Sequence, residues 1–379
     1  MKLFIVVSED WSFFSHRLSL ALSAINNGFD VTVLTRVDKF DKKFKEKGIN
    51  VINVNFKRSL KTPLTDFFNL IRLINIFRKE KPDIIHNVAL KTILLGSIAG
   101  LFSRDSLIVN AFTGLGYVFS SDQLRARIIR IFIIPIFQLI IRRKNYWCIF
   151  QNPDDMNLFN QLGISKAERT VLIRGSGVDI NEFSKKPDKN STPVVMLASR
   201  MLWDKGIGEF VEVAKRMRRN NVEVKFVLVG AADTNNPMSI PSSTLNKWNR
   251  ENYIDWKGHH NNMPEALSSA SIICLPSYRE GLPKVLLEAA AISRPLIATN
   301  VPGCREIVRD GYNGILVNLK DTDSLYNAIK SLVVDDKMRK KMGNNSRELV
   351  ESEFSSEIIN SQTLKLYERM KNISLSMKE

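Results

Sequence analysis

Residues 194–230 read VVMLASRMLWDKGIGEFVEVAKRMRRNNVEVKFVLVG, and their pattern indicates the fold class. A β-branched apolar run at 194–199 is followed by a longer helical pattern and then by a second apolar run at 225–230. Strand, helix and strand in this order form a βαβ unit, which builds a parallel sheet with helices on its faces. The stretch therefore predicts an α/β domain.

The same alternation continues on both sides of this stretch. A polar segment at 184–193, SKKPDKNSTP, has two prolines and no apolar core residue, so we expect a linker there. The pattern predicts two doubly wound, Rossmann-like domains at residues 1–185 and 193–355, followed by a C-terminal helix at 356–379 that could return to the first domain. The other predicted strands are LFIVV (3–7), VTVL (31–34), VINV (51–54), DIIH (83–86), LIVNAF (107–112), WCIF (147–150), TVLI (170–173), IDW (254–256), IICLP (272–276), PLIAT (295–299) and GILV (314–317).

The composition is that of an ordered globular protein. The chain has 379 residues, of which 44% are hydrophobic and 25% charged, which excludes a disordered or fibrous chain and allows two domain cores. Its net charge of +16 fits three classes of partner: nucleic acid, an anionic membrane surface or anionic small molecules. Residues 1–185 hold 27 basic and 16 acidic residues, so most of the excess lies in the first half.

The cysteines and the N-terminus favour a cytosolic protein. Cys148, Cys274 and Cys304 lie far apart, and two of them stand in apolar runs, which is typical of buried free thiols in a reducing compartment. The apolar run at 3–7 is too short for the hydrophobic region of a signal peptide, and we expect a buried strand there.

One helical segment differs from the others. Residues 128–141, IIRIFIIPIFQLII, are almost all apolar and are flanked by Arg125, Arg127 and the basic run at 142–144. A helix of this length spans about 21 Å, short of the ~30 Å apolar core of a bilayer. It is either a buried core helix kinked at Pro135 or a helix that lies in the membrane surface while its arginines meet lipid phosphates. The basic excess of the first half favours the second interpretation.

The segment LPSYREGLPKVLLEA at 275–289 is the main candidate for a ligand-binding site. A strand ends at Pro276, a turn follows at Glu280, and Pro283 suits the first turn of a helix. The N-terminus of such a helix offers backbone N–H groups to a phosphate, and carboxylates beside it accept hydrogen bonds from sugar hydroxyls. Glu280 could equally be a solvated turn residue, but Glu288 lies among apolar residues and needs a partner there.

Glu280 and Glu288 stand in the frame EGLPKVLLEA, which resembles the EX7E signature of the retaining glycosyltransferase family 4. The resemblance implies the GT-B fold, in which two Rossmann-like domains face a cleft, and transfer with retention of anomeric configuration. Within the family the chain is most similar to bacterial enzymes of O-antigen, capsule or N-glycan assembly, which often transfer GalNAc to acceptors on undecaprenyl diphosphate. The other stretches that match the family, in order, are FFSHRLSLA (13–21), NAFTGLGYVF (110–119), FQNPDD (150–155), GSGVDINEF (175–183), SRMLWDKGI (199–207), VPGCREIV (301–308) and DGYNGILV (310–317).

Carried over residue by residue, the resemblance implies a donor site in the second domain. Arg200 and Lys205 would hold the donor diphosphate and stabilise the charge that develops as it departs. Glu288 would bind the nucleotide ribose, and Glu280 would face the transferred sugar. Without the resemblance, Arg200 could be a salt-bridge partner and Lys205 part of a turn. The remaining donor positions are Gly281, Leu282 and Pro283 around the phosphate, and Gly230 and His259 near the base.

A loop of small residues in the first domain is also expected at the donor. Gly114 and Gly116 follow a strand, where backbone can approach a ligand closely, although an ordinary turn is an equally common reason for such glycines. The sequence departs from the broader family just before them, since Phe112 and Thr113 stand where a His is often found. We therefore expect His16 or the backbone to make the sugar contact of that His.

The acceptor side of the site is expected in the first domain. His16 and Arg17 would open the first helix, at the carboxyl edge of the sheet where ligands bind in such folds, or would form a capping or surface pair. His86 ends a predicted strand and Lys91 follows it, so both are candidates for contact with a donor or acceptor phosphate.

No metal or cofactor site is predicted. Asp321 and Asp323 have the D-x-D spacing of metal-dependent transferases, but they precede a helical pattern and predict an N-cap. His259 and His260 are adjacent, so their side chains diverge, and no third ligand is near in sequence. The chain contains neither a GxxxxGK[ST] loop nor a complete GxGxxG motif.

The resemblance, together with the basic excess of the first half, implies a metal-independent transferase that associates peripherally with the cytoplasmic face of a bacterial membrane. It would move an N-acetylhexosamine, with α-linked GalNAc as the first choice, from a UDP-sugar to a saccharide on undecaprenyl diphosphate. An isomerase similar to UDP-N-acetylglucosamine 2-epimerase is the alternative, because that enzyme also has two Rossmann-like domains and binds UDP. A nucleic-acid-binding protein would need aromatic residues interleaved with basic ones, whereas here the basic residues flank aliphatic runs.

Overall fold

The structure is a computed structural model that describes residues 1–38, 40–56, 63–103, 105–120, 123–233 and 236–376. It divides into two compact units. The first unit contains Met1–Ser176 and the residues from Ile359 onward, and the second unit contains Gly177–Ile358.

The strands of the first unit form a parallel sheet in the order β3-β2-β1-β4-β5-β6-β7. The strand order reverses direction between β1 and β4, which creates a crevice at the carboxyl ends of these two strands. Each predicted apolar run of this half overlaps one of the strands and extends at most one residue beyond it. Their bounds are β1 Lys2–Glu9, β2 Asp30–Arg36, β3 Asn50–Asn53, β4 Ile84–Val88, β5 Leu107–Phe112, β6 Tyr146–Phe150 and β7 Thr170–Leu172.

Helices cover both faces of this sheet. The helices are α1 Asp10–His16, α2 Leu18–Asn26, α3 Asp41–Glu46, α4 Pro63–Glu80, α5 Leu90–Gly100, α6 Gly116–Ser120, α7 Leu124–Ile140 and α8 Pro153–Gln161, with a 3₁₀ turn at Ala167–Arg169. On one face, Phe77 of α4, Ile93 of α5 and Phe137 of α7 share one apolar cluster. On the other face, Phe13 of α1 and Phe44 of α3 belong to a second cluster.

The second unit repeats this architecture with its strands in the order β10-β9-β8-β11-β12-β13, all of them parallel. The strands are β8 Val194–Ala198, β9 Lys225–Val229, β10 Asp255–Trp256, β11 Ile272–Leu275, β12 Leu296–Thr299 and β13 Gly314–Val317. The helices are α9 Ile207–Arg219, α10 Ser242–Arg250, α11 Met263–Ser268, α12 Lys284–Ala291, α13 Cys304–Ile307, α14 Thr322–Val334 and α15 Asp336–Leu349, with a 3₁₀ turn at Trp203–Lys205 and a π turn at Val350–Phe354. The three cysteines of the chain are buried and free, as predicted.

The last helix, α16, spans Ser356–Ser376 and returns to the first unit, a possibility that the sequence pattern left open. Tyr367 and Met370 are buried in the same apolar cluster as Phe13. The sheet face that carries α1 and α3 is therefore completed by a segment more than 300 residues further along the chain.

The boundary between the units lies at residues 176 and 177, ahead of the predicted linker at 184–193. Val178 forms a β-bridge with Ser355 and is buried in the core of the second unit. Two arginines then bind carbonyl oxygens of the following segment: Arg347 Nη1 donates to Phe183 O at 2.9 Å, and Arg294 Nη1 donates to Lys186 O at 2.7 Å. The segment lacks apolar side chains but is held through its backbone, so the linker prediction was wrong.

Candidate active site

The candidate site of the second unit lies at the carboxyl ends of β8 and β11. These strands are neighbours, but the chain continues from β8 to β9 on one side of the sheet and from β11 to β12 on the other. A parallel sheet forms a ligand crevice at such a point, because the two connections diverge. The predicted residues Arg200 and Lys205 follow β8, and Glu280 to Pro283 follow β11.

Lys205 and Glu280 form the central contact of the site. Lys205 Nζ lies 2.6 Å from Glu280 Oε1, and the two side chains are only 17% and 14% exposed. The residues are 75 positions apart, so the fold brings together two predicted residues. A lysine ammonium has three N–H donors, which leaves Lys205 able to bind an anionic ligand while it keeps Glu280.

Arg200 forms a more exposed ion pair beside this contact. Its Nη1 lies 2.9 Å from Asp233 Oδ2, and its side chain is 43% exposed. The sequence analysis did not identify Asp233. Its position in the loop after β9 was the available signal, because side chains that follow parallel strands gather at one edge of the sheet.

Glu288 is buried in α12, as its apolar neighbours predicted, and it has the partner that such a carboxylate needs. Lys284 Nζ lies 2.9 Å from Glu288 Oε1, one helical turn earlier. Burial raises the pKa of Glu288, and the nearby Lys284 ammonium acts in the opposite direction. The sequence analysis did not name Lys284, although a spacing of four residues places two side chains together on a helix.

Two glycines allow loops to approach each other closely around the site. Gly230 has φ 143°, and a Cβ at this position would lie 1.7 Å from the carbonyl oxygen of Ser199. Its N–H donates to the Gly258 carbonyl at 2.7 Å, which brings two predicted base-contacting loops together. Gly303, which the sequence analysis missed, has φ 82°, and a Cβ there would lie 2.5 Å from the carbonyl oxygen of Gly281.

The remaining predicted donor residues lie in different environments. Leu282 packs against the apolar core of the unit. Pro283 is the residue before α12 and so caps the helix, one position earlier than predicted. His259 is exposed and follows Gly258.

Tyr278 connects the two loops that carry Lys205 and Glu280. Its N–H donates to the Asp204 carbonyl at 2.8 Å, and its hydroxyl donates to Glu209 Oε1 at 2.6 Å. Burial and the Glu209 carboxylate raise the pKa of Tyr278. These bonds fix the two loops against each other and thereby position the Lys205–Glu280 contact.

The prediction that His16 and Arg17 open the first helix was wrong. In the first unit, both residues lie at the C-terminal end of that helix. The helix α1 begins at Asp10, directly after β1, and Arg17 lies in the break between α1 and α2. Arg17 is 6% exposed, and its Nη1 donates to the His16 carbonyl at 3.2 Å. Burial lowers the pKa of Arg17 to about 10, so the guanidinium stays charged at neutral pH.

His86 is not at the end of its strand, where the sequence analysis placed it. The strand β4 continues to Val88, and the His86 side chain is buried with its Nδ1 2.5 Å from the hydroxyl of Tyr367 in α16. Burial and the Arg17 charge lower the pKa of His86 to about 3, so the imidazole is neutral. The contact of Tyr367 with His86 was not predicted from the sequence.

The other predicted residues of the first unit have contacts and conformations of their own. Lys91 is in α5, and its Nζ lies 2.7 Å from Oδ1 of Asp66 in α4. Gly114 lies in the turn before α6, Gly116 is the first residue of that helix, and both have positive φ. Phe112 is buried and stacks on Phe150 with 4.9 Å between ring centroids, so it belongs to the core.

The D-x-D pair forms a helix cap, as predicted. The side chain of Asp321 accepts hydrogen bonds from the backbone N–H groups of Asp323 and Ser324 and so caps α14. Asp323 contacts Arg216 of α9. Within the described ranges, no group of three or more His, Cys, Asp or Glu residues is placed to hold a metal ion.

Helices α4 and α7 have apolar residues on both their inner and outer faces. Their inner faces pack in the shared cluster, and α7 continues through Pro135. In the part of the chain that the structure describes, no helix is long and apolar enough to cross a bilayer. The large apolar side chains exposed on the outer faces are Leu64, Phe67, Phe68 and Ile71 of α4, and Leu124, Ile128, Ile131, Phe132, Ile136 and Leu139 of α7.

Comparison with known families matches each unit to one family model. Residues 2–151, in the first unit, match the model described as "Glycosyl transferase 4-like". Residues 179–349, in the second unit, match the model described as "Glycosyl transferases group 1". The two matches therefore cover every strand except β7, together with the predicted site residues of both units.

Individual relatives align over most or all of the chain. The N,N'-diacetylbacillosaminyl-diphospho-undecaprenol alpha-1,3-N-acetylgalactosaminyltransferase of Campylobacter jejuni is 26% identical over 376 residues, covering 96% of this chain and 97% of that protein. The UDP-Gal:alpha-D-GlcNAc-diphosphoundecaprenol alpha-1,3-galactosyltransferase of Escherichia coli is 28% identical over 306 residues, covering 77% and 76%. The solved structure of sucrose-phosphate synthase from Thermosynechococcus elongatus has a TM-score of 0.81 at 20% identity, covering 98% and 100%. This likeness confirms the predicted GT-B fold.

Proposed function

The chain is a glycosyltransferase with a 4-like domain and a group 1 domain, and we propose that it moves an N-acetylhexosamine from a UDP-sugar to a saccharide on undecaprenyl diphosphate. The first choice of sugar is GalNAc, in α linkage and with retention of configuration. Two names support this choice: the Campylobacter jejuni relative is an N-acetylgalactosaminyltransferase for a diphospho-undecaprenol sugar, and the Escherichia coli relative uses UDP-Gal. The product would enter a bacterial surface polysaccharide such as O-antigen or capsule, or an N-glycan.

The observation that carries the proposal is the Lys205–Glu280 contact at the carboxyl ends of β8 and β11. A donor diphosphate in this crevice would meet both Lys205 and Arg200. Each cation already has a carboxylate partner within the second unit, so both are held in place before the donor binds. Charges organised in advance stabilise the negative charge that develops on a leaving group without reorganisation during the reaction.

The proposed reaction breaks the bond between the anomeric carbon and the diphosphate oxygen and forms a bond from that carbon to the acceptor hydroxyl oxygen. In a retaining transfer the hydroxyl attacks on the face that the diphosphate leaves, and its proton passes to the departing phosphate oxygen. Glu280 would orient the sugar. Glu288 would accept hydrogen bonds from the ribose, with the Lys284 ammonium favouring its ionised form.

The proposed reaction needs no metal ion, because Arg200 and Lys205 supply the positive charge that Mg²⁺ would bring to a diphosphate. Excess chelator should therefore leave the initial rate unchanged. A loss of activity that Mg²⁺ restores would contradict this part of the proposal.

The acceptor is a membrane lipid, and the outer faces of α4 and α7 provide a surface for the bilayer. The exposed apolar residues of α7 lie beside exposed arginines at 125, 127, 142 and 143. An apolar helix face with basic residues at its edges binds in the interface of an anionic bilayer. We therefore propose peripheral association with the inner face of the cell membrane.

Product analysis tests the proposal directly. The purified protein is incubated with a panel of UDP-sugars and a polyprenyl-diphosphate-linked sugar, and the product is analysed by mass spectrometry and NMR. We expect UDP release and an α-linked hexosamine product. Incubation with the donor alone is the control, since an epimerised donor without transfer would support the isomerase alternative and overturn the proposal.

A further inference from the structure

Trp11 is an exposed aromatic residue at the carboxyl edge of the sheet in the first unit. It lies in the first turn of α1, directly after β1, and its side chain is 44% exposed. Phe13 and Phe14 of the same helix contact Phe44 and Phe40, whereas no aromatic ring among the described residues contacts Trp11. The indole therefore presents an apolar surface to solvent at the edge where parallel sheets bind ligands.

Two charged side chains hold this indole in place. Trp11 Nε1 donates to Glu9 Oε2 at 2.9 Å, and Arg36 Nη2 donates to Glu9 Oε1 at 2.8 Å. Glu9 and Arg36 are paired across the ends of β1 and β2, and both side chains are half-buried. A ring that is already held loses less conformational freedom when a ligand binds, so this arrangement favours binding.

The backbone under the indole is fixed as well. The Asp10 carboxylate is buried, and its Oδ1 accepts a hydrogen bond from the Trp11 N–H at 2.7 Å. Its Oδ2 accepts from the Asp38 N–H at 2.8 Å and from the Phe40 N–H at 3.2 Å. One buried carboxylate thus ties the start of α1 to the segment that follows β2.

The surroundings of Trp11 differ from the apolar outer face of α7. The exposed apolar side chains of α7 recur at helical spacing and form a continuous face, at Ile128, Ile131, Phe132 and Ile136. Trp11 instead lies beside the Glu9 carboxylate, with the exposed Ser15 one turn further along α1. A lipid chain on Trp11 would remove these polar groups from water without offering them hydrogen bonds.

A sugar ring fits both parts of this surface. It has a face of C–H groups, which the negative face of an aromatic ring attracts, and hydroxyl groups around its edge. Each oxygen of Glu9 uses one lone pair, on Trp11 or on Arg36, and has a second for a hydroxyl donor. The chemistry of the surface is therefore that of a saccharide subsite.

We infer that Trp11 binds the acceptor saccharide by stacking on the apolar face of a sugar ring, while Glu9 accepts a hydrogen bond from one of its hydroxyls. The choice of the acceptor rests on the proposed function. The sugar of the UDP-sugar donor offers the same chemistry, so the experiment compares the two sources.

The first experiment follows Trp11 by ¹⁹F NMR in the full-length protein labelled with fluorotryptophan. The chain has five tryptophans, and the Trp11 signal is assigned by its loss in Trp11→Phe. The probes are short-chain polyprenyl diphosphates that carry N-acetylglucosamine, N-acetylgalactosamine or no sugar, and UDP-GalNAc is titrated separately. We expect a sugar-bearing lipid to shift and saturate the Trp11 signal, and the sugar-free lipid and UDP-GalNAc to leave it in place.

The second experiment measures transfer kinetics. Trp11→Ala should raise the KM for the acceptor about five- to tenfold and leave kcat unchanged, because a stacking contact is lost and the donor site is intact. Trp11→Phe keeps an aromatic ring and should restore the KM to within about twofold of the wild type. The matched control is Phe102→Ala, which removes a ring that is 48% exposed after α5 in the same unit, and it should have the wild-type KM.

The inference is overturned if neither sugar-bearing lipid moves the Trp11 signal, or if the sugar-free lipid or UDP-GalNAc moves it as far. The NMR titration uses the wild-type protein, so it decides the matter even where Trp11→Ala does not fold. Transfer with an unchanged acceptor KM in folded Trp11→Ala would contradict this inference alone. A Trp11 signal that responds to the sugar in a protein that releases no UDP would contradict the proposed function alone.

Discussion

The first six strands of each unit have the same order, but the units differ in which charged and apolar side chains lack a partner. In the second unit, Lys205 and Arg200 each have a carboxylate partner, and α9 buries its large apolar residues. In the first unit, α7 leaves Ile131 and Phe132 each 68% exposed, and Arg17 is buried with no ion pair to any described residue. Exposed apolar patches and unpaired buried charges are both unfavourable unless another molecule covers them. The described part of the second unit therefore pairs the charges of its candidate site, whereas the first leaves large apolar side chains exposed and a buried charge without an ion pair.

The largest expected effect isolates the second unit. Lys205→Ala should lower kcat about 10²- to 10³-fold, because it removes a fixed charge from the leaving diphosphate. Binding to anionic liposomes should stay the same, since the first unit is untouched. Initial rates and liposome flotation measure the two properties. The control is Lys247→Ala, which removes a lysine that is 66% exposed. A wild-type kcat in Lys205→Ala would show that Lys205 does not bind the donor diphosphate.

The next effect isolates the first unit. Ile131→Asn combined with Phe132→Asn should weaken liposome binding about ten- to a hundredfold, because two large apolar side chains no longer enter the bilayer. UDP-sugar binding and transfer to a short-chain, water-soluble acceptor should continue. The matched control is Val334→Asn, which changes an apolar residue that is 72% exposed in the second unit. Equal liposome binding in all three proteins would show that α7 is a core helix that does not enter the bilayer.

A smaller effect is expected at the exposed ion pair of the second unit. Arg200→Ala should raise the KM for the UDP-sugar about tenfold, less than a buried charge would give, because solvent screens Arg200. Asp233→Ala should have a weaker effect, and the double variant should resemble Arg200→Ala alone, since Asp233 acts by holding the arginine. Additive losses in the double variant would show that Asp233 contacts the ligand independently.

The smallest effect concerns stability, and it tests whether the core of the second unit desolvates Glu288. The pKa of Glu288 is raised in the folded protein, so the folded state binds its proton more tightly than the unfolded state. The contribution to stability is present at low pH and falls as pH rises from the ordinary carboxyl value of 4.5 to the higher folded value. Glu288→Gln should remove this decline. Urea unfolding at several pH values measures the free energy of unfolding of both proteins. If this free energy depends on pH in the same way in both, Glu288 is not desolvated in the folded protein.

Much of the fold could be predicted, because a strand of a parallel sheet is buried on both faces and forms a continuous apolar run. The run at 272–276 became β11 and the run at 225–230 became β9. The same reasoning pointed to the segment that holds Glu280, since a turn and a helix start follow the strand there. Lys205 came from the family resemblance, because the two residues are 75 positions apart and no local pattern joins them.

The rest depended on contacts that have no local pattern. His86 and Tyr367 are 281 residues apart, and no periodicity indicates that a helix from the end of the chain covers β4. The linker prediction failed for a related reason. A polar segment looks unstructured in sequence, but Arg294 binds the carbonyl oxygens of Lys186 and Pro187, and Arg347 binds that of Phe183 just before the segment. Buried polar contacts of this kind are specified by the tertiary fold and not by neighbouring residues.

The return of α16 to the first unit has a consequence for biosynthesis. The first part of this unit is translated first, but Tyr367 and Met370 are part of its core and leave the ribosome only after the second unit has been made. The sheet face that carries Phe13 must therefore stay uncovered while the whole second unit is made and folds. We expect nascent chains that stop before residue 359 to bind chaperones through that face, and the order of folding to be the reverse of the order of synthesis.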